Sequence, residues 1–394
     1  MRTPAQPTAS GATVPDAAPR DHRGSPIPTG AMIATRFMEL RKRRGLMIAL
    51  IVVNIGIPTV FLVVRLLAHA IAPKSYGPAG GYSIYTGLCS GVLYVFGFIV
   101  AATLGCTAGS VDLTDGMFRH LVVTGRSRLA LYLARIPAGL AIIVTLVAIG
   151  FTIVCGVCVF AAPKTLNYSG VNLPARLSRA GLANWAEGHP DEVICNFGIR
   201  LGPSTPSASE INSVLSNVRC GNGVQFGPPP ANGGAKPTET EIRAVAAQIA
   251  RMDYADYASQ FLYPSDSLMI RTGLWIELEA VIGFIVGLGL GSLIGQRTVG
   301  VVLMIVLEII LTPLFSRVRI PHMLNLQRSV VGVAMAHLTP GGLPVFGGGG
   351  GGPGNGNGNP LLIPESATVA VCVIIAWLVG WTMLGAWRMM TRDA

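Results

Sequence analysis

"TGLCSGVLYVFGFIVAATLG" (residues 86–105) and "IPAGLAIIVTLVAIGFTIVCGVCVFA" (136–161) flank a stretch of different chemistry, "GSVDLTDGMFRHLVVTGRSR" (109–128). The two outer runs carry no charged side chain. A helix of about 20 apolar residues crosses a hydrocarbon core of about 30 Å. Lipid offers the backbone no hydrogen-bond partner, so such runs cross as helices that satisfy themselves. The middle stretch holds two carboxylates, three arginines and a histidine. It therefore sits in water, and how it joins two crossings sets the topology.

The same reading extends outward. Of 394 residues, 51% are hydrophobic and only 12% charged, where a soluble domain carries about 25% charged residues. The expected fold class is an all-α polytopic membrane protein with six transmembrane helices and a large extracytoplasmic insert between spans three and four. The spans are expected at 45–68, 83–105, 136–161, 273–295, 298–315 and 366–387.

The net charge is +10, and only four of the 29 cationic residues are lysine. The cations sit mainly beside spans or in one long loop, where they orient a protein against membrane lipid. No aromatic-basic stacking module accompanies them, which argues against nucleic acid as a partner. The charge bias places the amino terminus, the 106–135 loop and the carboxy terminus with Arg388 and Arg392 in the cytosol. Arg317, Arg319 and Arg328 run against that bias, but they lie in a long segment, and long segments cross despite their charge.

Residues 1–30 read as a disordered tail, rich in Pro, Ala, Ser and Thr and without the apolar core of a secretory signal. In 31–44, Phe37 and Leu40 stand among Arg36, Arg41, Lys42, Arg43 and Arg44. That is either an amphipathic interfacial helix or a simple stop-charge cluster. Spans one to three, with the cytosolic 106–135 loop, fill 45–161. An extracytoplasmic insert follows at 162–272, with a helix over "EIRAVAAQIARMDYADYASQFL" (241–262). Spans four and five fill 273–315. Residues 316–365 hold an amphipathic stretch, "IPHMLNLQRSVVGVAMAHLTP" (320–340), and a flexible tether, "GGGGGGPGNGNGNP" (347–360). Span six and a cytosolic tail complete the chain at 366–394.

Five of the seven cysteines, Cys89, Cys106, Cys155, Cys158 and Cys372, lie in or beside spans, where Cys acts as a small apolar residue. Cys195 and Cys220 share the outside insert, so they are either a disulfide or two buried thiols. The chain has no G-x-x-x-x-G-K-[ST], no H-E-x-x-H, no G-x-S-x-G and no paired zinc-ligand spacing. Nothing in it points to catalysis, a metal site or a cofactor of its own.

In the middle stretch, Asp112 is placed to cap a short helix, with Asp115 near its positive end. Met117, Phe118, Leu121 and Val122 would share an apolar face, and Gly125 would end the helix. A small amphipathic helix carried between spans two and three either rests on lipid or gives a partner a lever on both spans.

The pattern D-x-x-D-G-x-x-R-x-L-x-x-T-G-x-S-R at 112–128 resembles permease subunits of ABC transporters in the type-2 exporter class. The basic amphipathic leading helix, the "GLGLGSLIGQRT" end of span four (287–298), the short span five and the amphipathic segment before span six follow the same order. The likeness covers about 30–162 and 271–390, and it is moderately specific only in the loop. It implies a membrane subunit, not an enzyme, paired with a second permease that is either a copy or a relative. It also implies a separate cytosolic P-loop ATPase that carries ATP and Mg. Asp112, Asp115, Gly116, Arg119, Leu121, Thr124, Gly125, Ser127 and Arg128 would then form the coupling region, together with Phe118. The 162–272 insert departs from the compact family pattern.

Within the membrane, Gly283, Gly287, Gly291 and Gly295 recur every four residues on span four, and Gly87 and Gly91 do so on span two. Such spacing lets helices pack closely or slide. Glu308 lies mid-span, which marks either a pathway or a protonated partner for a neighbouring helix. Glu277 and Glu279 are expected near the outer end of span four, within reach of headgroups. Asn54 and Pro58 predict a polar kink in span one. The expected function is outward movement of an amphipathic or hydrophobic substrate across the cell membrane. The alternative is a membrane-anchored receptor acting through its outside insert.

Overall fold

The computed structural model describes residues 26–72, 76, 78–114, 127–163, 165–168, 171–197, 238–317, 320–340, 343, 363 and 365–391. Among the described residues six helices are long and apolar enough to cross a bilayer, and the protein is a multi-pass helical membrane protein. A leading helix α1 (Gly30–Lys42) precedes the crossings α2 (Arg44–Ile71), α3 (Tyr82–Val111) and α4 (Arg128–Phe160). A hairpin of β1 (Thr165–Tyr168) and β2 (Val171–Pro174) follows, antiparallel, with Leu166 opposite Leu173. Next come α5 (Arg179–Gly188), α6 (Pro190–Phe197), α7 (Glu239–Met252) and α8 (Tyr254–Phe261). The crossings α9 (Asp266–Ile294) and α10 (Arg297–Ser316) are followed by the short helices α11 (Leu324–Arg328) and α12 (Val331–His337). The last crossing is α13 (Ala367–Thr391).

Helix α9 is the axis of the bundle. Burial covers 72% of its most apolar stretch, against 22% for each of α2, α10 and α13, whose remaining surface is left for lipid or a partner. Its tightest neighbour is α3. A Cβ at Gly283 would stand 2.8 Å from the Phe98 carbonyl oxygen, and one at Gly287 or Gly291 would stand 2.5 Å from that of Ala102 or Cys106. From the other side, Gly105 and Gly109 present bare backbone to Phe284 and Leu288. The four-residue period on both helices aligns glycine with backbone along the seam, so the two chains approach as closely as main-chain atoms allow.

The other glycines of the expected seam behave differently. Gly87 and Gly91 have no neighbour within 4 Å of an added Cβ, so among the described residues they pack against no other helix of this chain. Gly295 takes the left-handed conformation, φ 72°, and ends α9 through its N–H to the Gly291 carbonyl.

Helix α3 corrects the boundary expected at 105. The helical backbone runs on past Val111 through Asp112 to Thr114; the short helix expected beyond it falls in 115–126, outside the described residues. The cause is local: Cys106 to Val111 contains no proline. Thr107 and Ser110 turn their hydroxyls back to the carbonyls of Thr103 and Cys106, 2.7 and 2.8 Å away. Gly105 and Gly109 then continue the seam with α9.

Two crossings carry a π-helical turn just before a proline. In α2 the turn is Val52–Gly56, ahead of Pro58; in α10 it is Val306–Leu311, ahead of Pro313. A proline has no N–H for the carbonyl four residues back, and the widened turn repacks the ladder around that loss. The expected polar kink at Asn54 and Pro58 is this feature. The freed Asn54 carbonyl rests against Gly150 of α4, where a side chain would collide with it.

Between α4 and α9 the chain builds a small separate core. Leu173, Leu182, Val193, Ile194, Val245, Ile249 and Tyr257 enclose one another. The helix expected over 241–262 divides at Asp253 into α7 and α8. Helix α7 begins with a reciprocal cap: the Thr238 hydroxyl accepts the Glu241 N–H, and the Glu241 carboxylate accepts the Thr238 N–H at 2.7 Å.

The stretch expected to be amphipathic, 320–340, divides into a largely exposed first half and a buried second half. Val331, Gly332, Val333, Ala334, Met335 and Ala336 are all buried. Small residues let α12 drop between α10 and α13, with Gly332 placed directly on Thr312.

Candidate functional site

Most of the expected coupling region, Asp115, Gly116, Phe118, Arg119, Leu121, Thr124 and Gly125, lies outside the described residues, as does the side chain of Asp112. What the structure places is the frame on either side. Ser127 caps the start of α4, its hydroxyl accepting the Ala130 N–H at 3.1 Å. Arg128 donates to the Met390 carbonyl in the last turn of α13 at 3.2 Å, one of the carbonyls that a helix end leaves without an internal partner. Arg135, 2% exposed, donates to the Gly109 carbonyl of α3 at 3.2 Å.

The leading helix completes this end. Met32 packs with Ala130, Leu131 and Ala134 of α4. Arg36, paired with Glu39 at 2.6 Å, borders a small cleft with Leu40, Ala108, Val111 and Arg135. The hydroxyl end of Tyr132 lies against Gly385 of α13. Four helices, α1, α3, α4 and α13, are thus pinned together where the 115–126 stretch leaves and returns.

A second feature lies inside the bundle. Glu308, in the π-turn of α10, is 1% exposed, and so is Glu279 of α9. Helix α9 starts at Asp266, earlier than expected. Glu279 is therefore about 20 Å along the axis at 1.5 Å per residue, and it is a core residue that does not reach a headgroup. The two carboxylates are close enough for their charges to interact, and both act on Tyr94 of α3. Tyr94 stacks on Trp275, one turn before Glu279 on α9. The Trp275 indole donates to the Met335 carbonyl of α12 at 3.0 Å. The Thr312 hydroxyl lies 2.9 Å from the Leu307 carbonyl and 3.5 Å from Glu308 Oε2.

Sequence reasoning singled out Glu308 and missed its partner. The signal was available: Glu279 follows Trp275 by one helical turn on a face that also carries Thr272, and all three are buried.

A groove of about 510 Å³ opens between α2 and α4, lined by Leu66, Ile153, Gly156, Val157, Phe160 and Ala161. Its walls are apolar, so it suits an acyl chain or a similar hydrocarbon. Cys89, Cys106, Cys155, Cys158 and Cys372 are free thiols. Cys195 lies on α6, but Cys220 is outside the described residues and so is the pairing of the two. Among the described residues, no group of three or more His, Cys, Asp or Glu side chains is arranged to hold a metal.

At the lower end of α12, His337 Nδ1 lies 2.9 Å from the Val333 carbonyl and 3.5 Å from Glu365 Oε2, while Nε2 lies 2.9 Å from the Ile363 carbonyl. Burial pushes the Glu365 carboxyl up from the ordinary range, and His337 and Arg328 pull it back.

The fold and these sites define a class, the polytopic α-helical membrane proteins. In comparisons with known proteins, the chain matches no family model, no curated protein and no solved structure.

Proposed function

We propose that this protein is the permease subunit of an ATP-driven ABC exporter in the cell membrane, with both termini cytosolic. ATP and Mg would bind a separate cytosolic P-loop ATPase, and this chain would supply the path and the mechanical coupling without being an enzyme. It would work with a second permease, either a copy or a related chain. The segment between α4 and α9 would face the outside, as would α12 and the glycine-rich tether.

The observation that carries this reading is the clamping of both roots of the 115–126 stretch. Arg135 ties α4 to the Gly109 carbonyl of α3, and Arg128 ties α4 to the end of α13. A force applied to the stretch would move these helices as one body instead of bending a slack loop. The apolar groove between α2 and α4 favours an amphipathic or hydrophobic substrate over an ion.

The test is Phe118→Ala combined with Leu121→Ala in the full chain. The variant should insert normally but lose co-purification with the ATPase. Undiminished co-purification would remove the docking role.

A receptor or interaction protein is the second reading. The separate core around Leu182, Ile249 and Tyr257 favours it, because that module has a hydrophobic cluster of its own. Deleting the module while transport persists would set this reading aside.

A further inference from the structure

We propose that Glu279 and Glu308 form a proton-binding site inside the membrane, closed on one side by α12. This inference stands apart from the exporter reading, since it concerns what the bundle holds and not what drives it. Each carboxylate is 1% exposed and has an oxygen without a hydrogen-bond partner, Oε2 of Glu279 and Oε1 of Glu308. Among the described residues neither has a cationic partner: the groups facing them are each other, the Tyr94 phenol from α3 and the Thr312 hydroxyl on α10. Two like charges buried together without a counter-ion cannot both persist, because desolvation and mutual repulsion favour the neutral acid.

The hydroxyl geometry points the same way. Thr312 has one hydroxyl hydrogen, and the Leu307 carbonyl at 2.9 Å claims it over Glu308 Oε2 at 3.5 Å. A charged Glu308 is therefore left without a close hydrogen-bond donor among the described residues. A proton on either carboxyl would relieve the repulsion felt by both, so we assign it to the pair and not to one residue.

A proton fits better than a metal ion. Among the described residues no group of three or more His, Cys, Asp or Glu is arranged to hold a metal, and here only two carboxylates meet. The Leu307 carbonyl, which the π-turn could have turned toward an ion, already receives both the N–H and the hydroxyl of Thr312.

The cover is specific. Met335 of α12 accepts from Trp275, Trp275 stacks on Tyr94, and Gly332 of α12 lies on Thr312. Any change in the charge of the pair is felt through these contacts by the helix that precedes the last crossing.

The experiment is infrared difference spectroscopy on the full-length protein in lipid nanodiscs at neutral pH. The spectrum of the Glu279→Gln, Glu308→Gln double variant is subtracted from that of the wild type. A carboxylic-acid C=O band in the difference, shifting in D2O, is expected. Its absence overturns the proposal. Should the double variant fail to fold, Glu308→Gln and Glu279→Gln are each subtracted, and one of them must reveal the band. The measurement is repeated with sodium replaced by choline. An unchanged band is expected, while a band that emerges only without sodium would assign the site to a metal ion and overturn the proton.

Discussion

The indole of Trp275 lies flat on the ring of Tyr94, with centroids 4.2 Å apart and planes within 3° of each other. One side chain thereby joins α9 to α3, and its N–H fixes α12 through the Met335 carbonyl. Trp275→Phe keeps an aromatic face but removes that bond, leaving the Met335 carbonyl with the Leu338 N–H alone, at a cost of about 0.5–1.5 kcal/mol. Trp275→Ala also opens a cavity and should cost about 3–5 kcal/mol. Thermal unfolding in mild detergent should rank wild type above Phe above Ala. A Phe variant melting with the wild type would show that the indole N–H holds nothing.

The glycine seam gives a contrast within one residue type. Gly287→Ala and Gly291→Ala force a methyl onto backbone carbonyls 2.5 Å away, and overpacking of this kind costs about 1–3 kcal/mol. Gly87→Ala and Gly91→Ala meet nothing and should gain up to about 1 kcal/mol of helix propensity. Melting temperatures of the four variants should fall into two pairs on opposite sides of the wild type.

Tyr257 bridges the module between α4 and α9. Its hydroxyl donates to the Pro174 carbonyl at 2.6 Å and accepts the Leu177 N–H at 2.9 Å, and burial raises its pKa. Tyr257→Phe removes both bonds and should cost about 1–3 kcal/mol. Limited proteolysis should then cut this module before the bundle; cutting at the wild-type rate would contradict the bridge.

The cap of α7 is pH-dependent in a defined direction. The backbone N–H of Thr238, then its hydroxyl, holds the Glu241 carboxyl below its ordinary value of 4.5. A lowered folded pKa means a contribution present above 4.5 and lost as pH falls through the folded value. Hydrogen-exchange protection of 239–252 should therefore decline in acid in the wild type and much less in Glu241→Gln. Equal acid sensitivity in both would place the effect elsewhere.

The six crossings were legible because each is an apolar run long enough to span lipid with at most two charged side chains in its most apolar window, as in 136–161, which has none. Their ends and faces were harder to read. Nothing in Cys106–Val111 marks where α3 leaves the bilayer, since small residues continue a helix as readily as they end one. Spacing showed that Gly87 and Gly91 share a face, as Gly283 and Gly287 do, but not which face meets a neighbour. Glu279 looked peripheral only because the start of α9 was placed seven residues late. Glu308 stood out as a lone acid in an apolar run, while its partner depends on a contact between two helices that no local pattern encodes. For the 115–126 stretch, the sequence pattern is the basis of the reading, and the structure contributes the anchored roots on either side.

The central claim is that residues 112–124 face the cytosol, where an ATPase can grip them. Arg119→Cys, placed in a chain with Cys195→Ser, Cys220→Ser and Cys372→Ser, tests it directly with a membrane-impermeant maleimide on intact cells. The account predicts no labelling until the membrane is permeabilised. Full labelling of intact cells would put the stretch on the outer face and contradict it.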